Sequence, residues 1–269
     1  MISKTELLKQ LEKFHMAKGR IVMVHTSLRA VGDIDGGGET LLSALIEFFT
    51  DRGGLLCIPT HTWDSEVYDL RKAESCLGVF PRLAAKHPEA LRTLHPTHSM
   101  AVFGDRKKAE AFAKDESTAQ SPTSPKGCLG KLYDEDGYVL LIGVGHEKST
   151  FIHCVEEMLC VPNRLTETMV ERTVIHQDGR KEQRQLYWFD EETIPDVSEN
   201  FGKFESAFRY HGAVLDGQIG NAPAQLCRAR TMKAVVELIY RNSGGRELLD
   251  NNLPLDEALY KTDDVMTNV

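Results

Sequence analysis

The chain of 269 residues contains no apolar run approaching the ~18 residues of a membrane-spanning helix, so no such span is expected. Its first stretch, MISKTELLKQLEKFHMAKGR, lacks a signal-peptide core and reads instead as a polar amphipathic helix. None of the six cysteines (57, 76, 128, 154, 160, 227) forms a CxxC pair. That spacing argues against a disulfide framework and suits a reducing cytoplasm. Cys57 and Cys154 fall inside apolar stretches and read as small buried hydrophobes. Positive charge is in deficit: 32 Lys and Arg face 40 Asp and Glu, a net charge of −8. This argues against a general nucleic-acid-binding role and is compatible with a cationic substrate. There is no internal repeat, no GxxxxGK[ST] loop, no GxGxxG fingerprint and no HExxH helix.

What is present is an ordinary globular composition, 41% hydrophobic and 27% charged, long enough to bury a substantial core. The most informative stretch is Tyr138 to Met158, YVLLIGVGHEKSTFIHCVEEM. Its first five residues are a continuous apolar run of strand length, the pattern of a strand buried on both faces. Gly143-Val-Gly145 permits a tight turn, and Ser149 or Thr150 can cap a helix running to Met158. On that helix His153 and Glu156 stand three residues apart and share a face. An imidazole beside a carboxylate is a good general-base arrangement, because the carboxylate fixes the tautomer and raises ring basicity. In open α/β folds, ligands bind just past the ends of buried strands. Taken alone, however, a His-x-x-Glu pair is more commonly a solvated ion pair.

The rest of the chain repeats the theme of polar residues after buried strands. Arg20 to Val24 is a strand ending in His25-Thr26-Ser27-Leu28, followed by Gly36-Gly37-Gly38 and a helix from Thr40 to Phe49. Hydroxyls, glycines and a helix start together make a phosphate cradle, with a plain surface loop the equal alternative. Gly53 to Ile58 is a further strand, ending in Pro59-Thr60-His61-Thr62-Trp63-Asp64. Residues 64–78 read as a loop over the site, 79–86 as a helix, 100–103 as a strand and 105–114 as a charged helix. The Ser, Thr and Pro-dense segment 115–127 is irregular, and 129–133 is a short helix. Alternation over 168–175 and 183–189 around the turn 176–180 predicts an antiparallel hairpin. Residues 198–210 read as helix, 211–220 as a short strand or turn, and Ala222 to Arg241 as one helix. The tail from Ser243 is charged and is expected to end in disorder.

Eight motifs stand in a fixed order: HTSL at 25–28, Gly36-Gly37, Pro59-Thr60, HPTHS at 95–99, SP at 124–125, KLY at 131–133, LLIGVG at 140–145, and Thr150-x-x-His153-x-x-Glu156. In that order the chain resembles the aminoglycoside 3-N-acetyltransferase (antibiotic N-acetyltransferase) family over roughly Ile21 to Glu157, with a weaker echo at Gly217 to Ala222. The resemblance implies a three-layer α/β sandwich around a central, largely mixed sheet, distinct from the GNAT acetyltransferase fold. It implies a single domain over 1–269, with a hairpin-containing insertion around 160–210. It further implies acetyl-coenzyme A as co-substrate, antibiotic resistance as the associated activity, and no metal. His153 would be the catalytic base and Glu156 its partner. His25, Thr26, Ser27, Leu28, Gly36, Gly37, Thr60 and Ser99 would lie about the coenzyme. The SPTSPKGCLGKLY stretch is longer than the family's usual join, so Ser121-Pro122 and Ser124-Pro125 both remain candidates for the equivalent position.

For the acceptor, Asp64, Glu66 and Asp69 follow a strand end and are candidates to recruit a cationic small-molecule amine; a solvated acidic loop is the competing reading. No nucleic-acid or membrane partner is expected, and a homodimer is compatible with the chain. Two rival functions remain at this point. Clustered histidines (25, 61, 95, 98 and 153) would suit a metal-dependent hydrolase, although no ligand pair at helical spacing supports it. A coenzyme A-binding homologue without catalysis is the other, against which the His153 and Glu156 pair counts.

Overall fold

A computed structural model describes residues 1–262. In chain order its first half comprises α1 (Lys4–Glu12), β1 (Ile21–Thr26), α2 (Leu28–Val31), α3 (Gly37–Thr50), β2 (Leu55–Pro59), β3 (Val67–Asp69), α4 (Val79–Lys86), β4 (Leu91–Arg92), β5 (Met100–Phe103) and α5 (Arg106–Ala113). Then follow α6 (Cys128–Asp134), β6 (Tyr138–Ile142), α7 (Thr150–Met158), β7 (Val170–Ile175), β8 (Lys181–Leu186), α8 (Glu205–Tyr210), β9 (Val214–Ile219), β10 (Ala222–Arg228) and α9 (Ala229–Asn242).

Seven strands form the central sheet in the order β4-β5-β2-β1-β6-β10-β9. Its middle is parallel, β1 lying between β2 and β6, and both sides continue antiparallel. The parallel strands are apolar without interruption because both of their faces are covered. Side chains alternate across a strand, so neighbours enter different layers. Ile21, Met23, Leu55, Cys57, Val139 and Leu141 pack with α5, α6, α7 and α9. Val22, Val24, Leu56, Ile58, Leu140 and Ile142 pack with α1, α3 and α4 on the other side. The result is a three-layer α/β sandwich with a mixed sheet. Each fully buried aliphatic or aromatic side chain here contributes about 1.5–3 kcal/mol.

Local chemistry fixes the connections that matter for the site. Ser27 ends β1 and caps α2, its Oγ accepting from Ala30 N at 3.3 Å. After β6 the chain turns at Gly143, whose φ of +65° favours glycine. A Cβ there would stand 2.4 Å from that of Ala30, so the turn also allows α2 to approach closely. Gly36 and Gly37 likewise have positive φ and open α3, which begins three residues before the expected Thr40.

Several segments differ from expectation. The stretch 222–241 is not one helix: residues 222–228 form β10, hairpin-paired with β9 and antiparallel to β6. Its small alternate residues Ala222 and Ala224 are buried against the sheet, and tertiary pairing overrides their helical propensity. Within the expected loop 64–78, β3 pairs parallel with β7, extending the β7-β8 hairpin into a three-stranded sheet. Tyr68 anchors it, buried, with its Oη donating to Thr93 O at 2.9 Å. The expected helix 198–210 divides into a 3₁₀ helix, Val197–Phe204, and α8. A 3₁₀ turn at Glu257–Leu259 lies in the charged tail, whose expected disordered end falls on 263–269, outside the described residues. No helix among the described residues is long and apolar enough to cross a membrane.

Candidate active site

The C-terminal ends of β1, β2 and β6 open into a cavity of about 570 Å³. Because these three strands are parallel, their polar terminal residues converge on one edge, as in other open α/β sheets. His25, Thr26 and Ser27 come from β1 and the residue after it, Pro59 and His61 from the end of β2 and just beyond, and Val144 and Glu147 to Thr150 from the turn after β6 and the start of α7. His98 enters from just before β5 and His153 from α7, while residues between Trp188 and Glu199 cover the opposite side. Thr26, Ser27, Leu77, Phe80 and Pro81 also line an adjoining groove, joined there by Leu28, Arg29 and Val79.

His153 is held by its surroundings. Its ring stacks on Phe189, centroids 4.5 Å apart and planes 30° off parallel, and meets Phe201 edge-on at 4.7 Å. Nδ1 faces Glu156 Oε2 at 3.5 Å, slightly beyond a well-formed hydrogen bond. Glu156 is fully buried, and its Oε1 accepts from Arg164 Nε at 2.6 Å. The neighbouring Glu157 turns away to Ser121 and Thr123, which both donate to it. Burial holds the Glu157 carboxyl above its ordinary value despite those donors. Two adjacent glutamates therefore do different work: Glu156 faces the His153 ring, and Glu157 secures the 121–123 loop.

The other histidines divide in the same way. His95 is consumed internally, Nε2 donating to Ser121 O at 2.9 Å and Nδ1 accepting from His98 N at 2.9 Å. Burial and then Arg184 hold it down at about 3. His25, pushed to about 4 by burial, has an unpartnered Nε2 on the cavity wall. The His61 and His98 rings meet tilted, centroids 4.2 Å apart, and, through burial and then the neighbouring histidines, stay well below the usual imidazole range. All four are neutral near pH 7. Among the described residues, no group of three or more His, Cys, Asp or Glu is placed to hold a metal ion.

The remaining predicted residues are dispersed. Thr60 and Ser99 are buried behind the wall and bind each other, Thr60 Oγ1 to the Ser99 carbonyl at 3.0 Å and Ser99 Oγ to the Thr60 carbonyl at 3.1 Å. Gly36 and Gly37 open α3 outside the cavity lining. Asp64 and Glu66 are exposed and do not line it either. Asp69 is bound by Arg71 through Nε and Nη2 at 2.9 and 2.8 Å, which hold its carboxyl near 2. The carboxylates that do line the cavity are Glu147, Asp190, Glu191, Asp196 and Glu199, opposed by Lys148 and Arg164 alone among lysines and arginines. Three of them, Asp190, Glu191 and Asp196, lie in a segment whose sequence has no periodicity, and Glu199 falls on the stretch expected to be helical.

Two hydroxyls complete the site. Thr26 Oγ1 and Ser149 Oγ are buried without a hydrogen-bond partner. Ser149 occupies the N-cap position of α7 yet makes no capping bond, one turn before His153.

Comparison with known proteins agrees with this architecture. The family model described as aminoglycoside 3-N-acetyltransferase matches residues 23–240. Aminoglycoside N(3)-acetyltransferase VII of Streptomyces paromomycinus is 27% identical over 258 residues, covering 85% of this chain and 88% of the relative. Among solved structures, AAC-IIIb in a binary complex with CoASH superposes with a TM-score of 0.76 at 24% identity, over 89% of this chain and 96% of that one. A mutant AAC(3)-IVa in complex with gentamicin superposes with a TM-score of 0.72 at 28% identity, over 90% of each chain. With its sheet, its cavity and the match over most of its length, the chain belongs to the aminoglycoside 3-N-acetyltransferase family and is an acetyltransferase.

Proposed function

We propose that this enzyme transfers an acetyl group directly from acetyl-coenzyme A to an amine of an aminoglycoside or related amino compound, with His153 as general base. The observation that carries the reading is the His153 ring, fixed between two phenylalanines beside Glu156, on the wall of a cavity at the parallel strand ends. A relative in the family is known as a complex with CoASH and another as a complex with gentamicin. The residues present fit the coenzyme. Leu28, Leu77, Val79, Phe80 and Pro81 give the adjoining groove an apolar floor for a pantetheine arm, with Arg29 beside it for phosphate. Thr26 Oγ1 and Ser149 Oγ are orphaned polar atoms suited to a polar ligand at the junction.

Acetyl-coenzyme A supplies the activated acyl group as a thioester. The chain's own task is to move a proton and stabilise charge. With Nδ1 turned to Glu156, Nε2 is the nitrogen left to take the proton from the attacking amine. Glu156 stabilises the resulting imidazolium, which returns the proton to the departing thiolate. Backbone N–H groups at a strand-to-helix turn would stabilise the developing negative charge, an effect worth a few kcal/mol. Mass and NMR analysis of products from an amine panel tests the reading; an unmodified panel would overturn it.

Two further results are expected. Acetyl-coenzyme A at about 100 times its Kd should stabilise the native state by about 2.7 kcal/mol, raising Tm by about 5–10 °C. No thermal shift would remove the coenzyme assignment. The five lining carboxylates should recruit a cationic acceptor, so its kcat/KM should fall as salt shortens the Debye length from about 8 Å at physiological ionic strength. A salt-independent kcat/KM would count against that role.

A further inference from the structure

Behind the base lies a run of alternating charge that acetyl transfer, as described, uses only as far as Glu156. A guanidinium bonded to a buried carboxylate cancels most of its field at a neighbouring ring, because the pair acts at a distance as a dipole. Arg164 stands in that place, its Nε on Glu156 Oε1. It is not left as a single counter-charge. Its Nη1 and Nη2 donate to Glu247 Oε2 and Oε1 at 2.9 and 3.0 Å, a bidentate pair, and Nη2 reaches Tyr240 Oη at 3.3 Å. Glu247 Oε1 is fixed in turn by Leu248 N and Leu249 N, at 2.9 and 2.7 Å. Burial opposes the charge of Arg164, yet the two carboxylates carry its pKa above the ordinary value.

Leading away from the ring the order is carboxylate, guanidinium, carboxylate, with Arg164 also reaching the cavity wall. The three inner groups sum to one negative charge, which the ring neutralises on taking a proton. Without Glu247 they would sum to zero. The other titratable groups about the ring do not substitute for it. His61 and His98 are kept neutral, Glu157 is engaged by Ser121 and Thr123, Tyr240 belongs to the Arg164 network, and Asp190 and Glu191 stand on the cavity rim. Glu247 also lies beyond the residues 23–240 that match the family model.

We infer that Glu247, acting through Arg164, keeps Glu156 effective as the anionic partner of His153, so that the Arg164 and Glu247 pair positions the charge behind the base. The inference rests on His153 being that base. Glu247→Gln is nearly isosteric, and the side chain is 26% exposed, so water can relieve the change. With Arg164 no longer balanced, the protonated ring is disfavoured and loses its proton at lower pH. The acidic limb of the kcat profile is expected to move down by about one pH unit. Plateau kcat should fall roughly threefold, as a weaker base requires, and KM for acetyl-coenzyme A should not change. Imidazole NMR of His153 should show the same downward titration shift. Glu247→Asp, which keeps the charge, should return the limb toward its original position. Glu247→Ala is the second variant should the glutamine form fail to fold, and the same shift is expected of it.

A merely structural role would lower Tm and kcat in both the Gln and Asp variants with the limb unmoved, and that result would overturn the inference. Parallel measurement of His153→Ala separates the two levels. If His153→Ala loses turnover while Glu247→Gln leaves the limb in place, the base stands and the inference fails. If His153→Ala retains turnover, the limb is not the ring's and both fall.

Discussion

His153→Ala is expected to lower kcat by about 10²–10⁴-fold while leaving acetyl-coenzyme A binding nearly intact. In the proposed reaction the ring acts on the proton of the amine, whereas the coenzyme would be held by the groove that Ser27 and Leu28 line. Its removal leaves a gap between Phe189 and Phe201, so some loss of stability accompanies the change. Circular dichroism and coenzyme-induced thermal stabilisation on the same protein separate chemistry from folding. A folded, coenzyme-competent variant with near-original turnover would exclude the ring as base. Glu156→Gln should be milder, since it retains a polar group beside Nδ1 but loses the charge, and it should shift the acidic limb downward.

Arg164→Met carries the second large expectation, a loss of about 3–5 kcal/mol in folding stability. The substitution is close in length, but it leaves Glu156 buried with neither its 2.6 Å donor nor water. An uncompensated buried carboxylate is among the few single changes that approach the whole stability of a domain, typically about 5–15 kcal/mol. Arg164 also ties the cover to the Glu156 side of the site through its backbone, its carbonyl accepting from Asp190 N at 3.1 Å. The urea midpoint should fall accordingly. A loss below about 1 kcal/mol would place the pair among exposed salt bridges and remove its structural role.

How much of this was legible in the chain depended on whether the signal was local. Strands β1, β2 and β6 are buried on both faces and announce themselves as unbroken apolar runs, and α7 follows its glycine turn directly. β10 was misread because Ala222, Ala224 and Gln225 favour a helix when considered singly. The decisive cue was Gly220-Asn221, a two-residue link between alternating segments that marks a hairpin. The acidic residues chosen for the acceptor stood just after a strand end in sequence, but β3 draws this stretch into the small sheet and Arg71 occupies Asp69. Three of the carboxylates that reach the cavity, Asp190, Glu191 and Asp196, come from an aperiodic cover whose path is set by distant contacts, such as the pairing of Leu165 with Phe189. Arg164 and Glu247 are 83 residues apart, and nothing local in either segment points to the other.

Thiol release from acetyl-coenzyme A, followed with and without an aminoglycoside, bears most directly on the proposed reaction. Release should occur only when a cationic amine is present, with one thiol freed for each amine acetylated. Equal release without any amine would identify a thioester hydrolase, and coenzyme binding with no release across the amine panel would identify a non-catalytic homologue; either result would contradict direct acetyl transfer to the amine with His153 as its base.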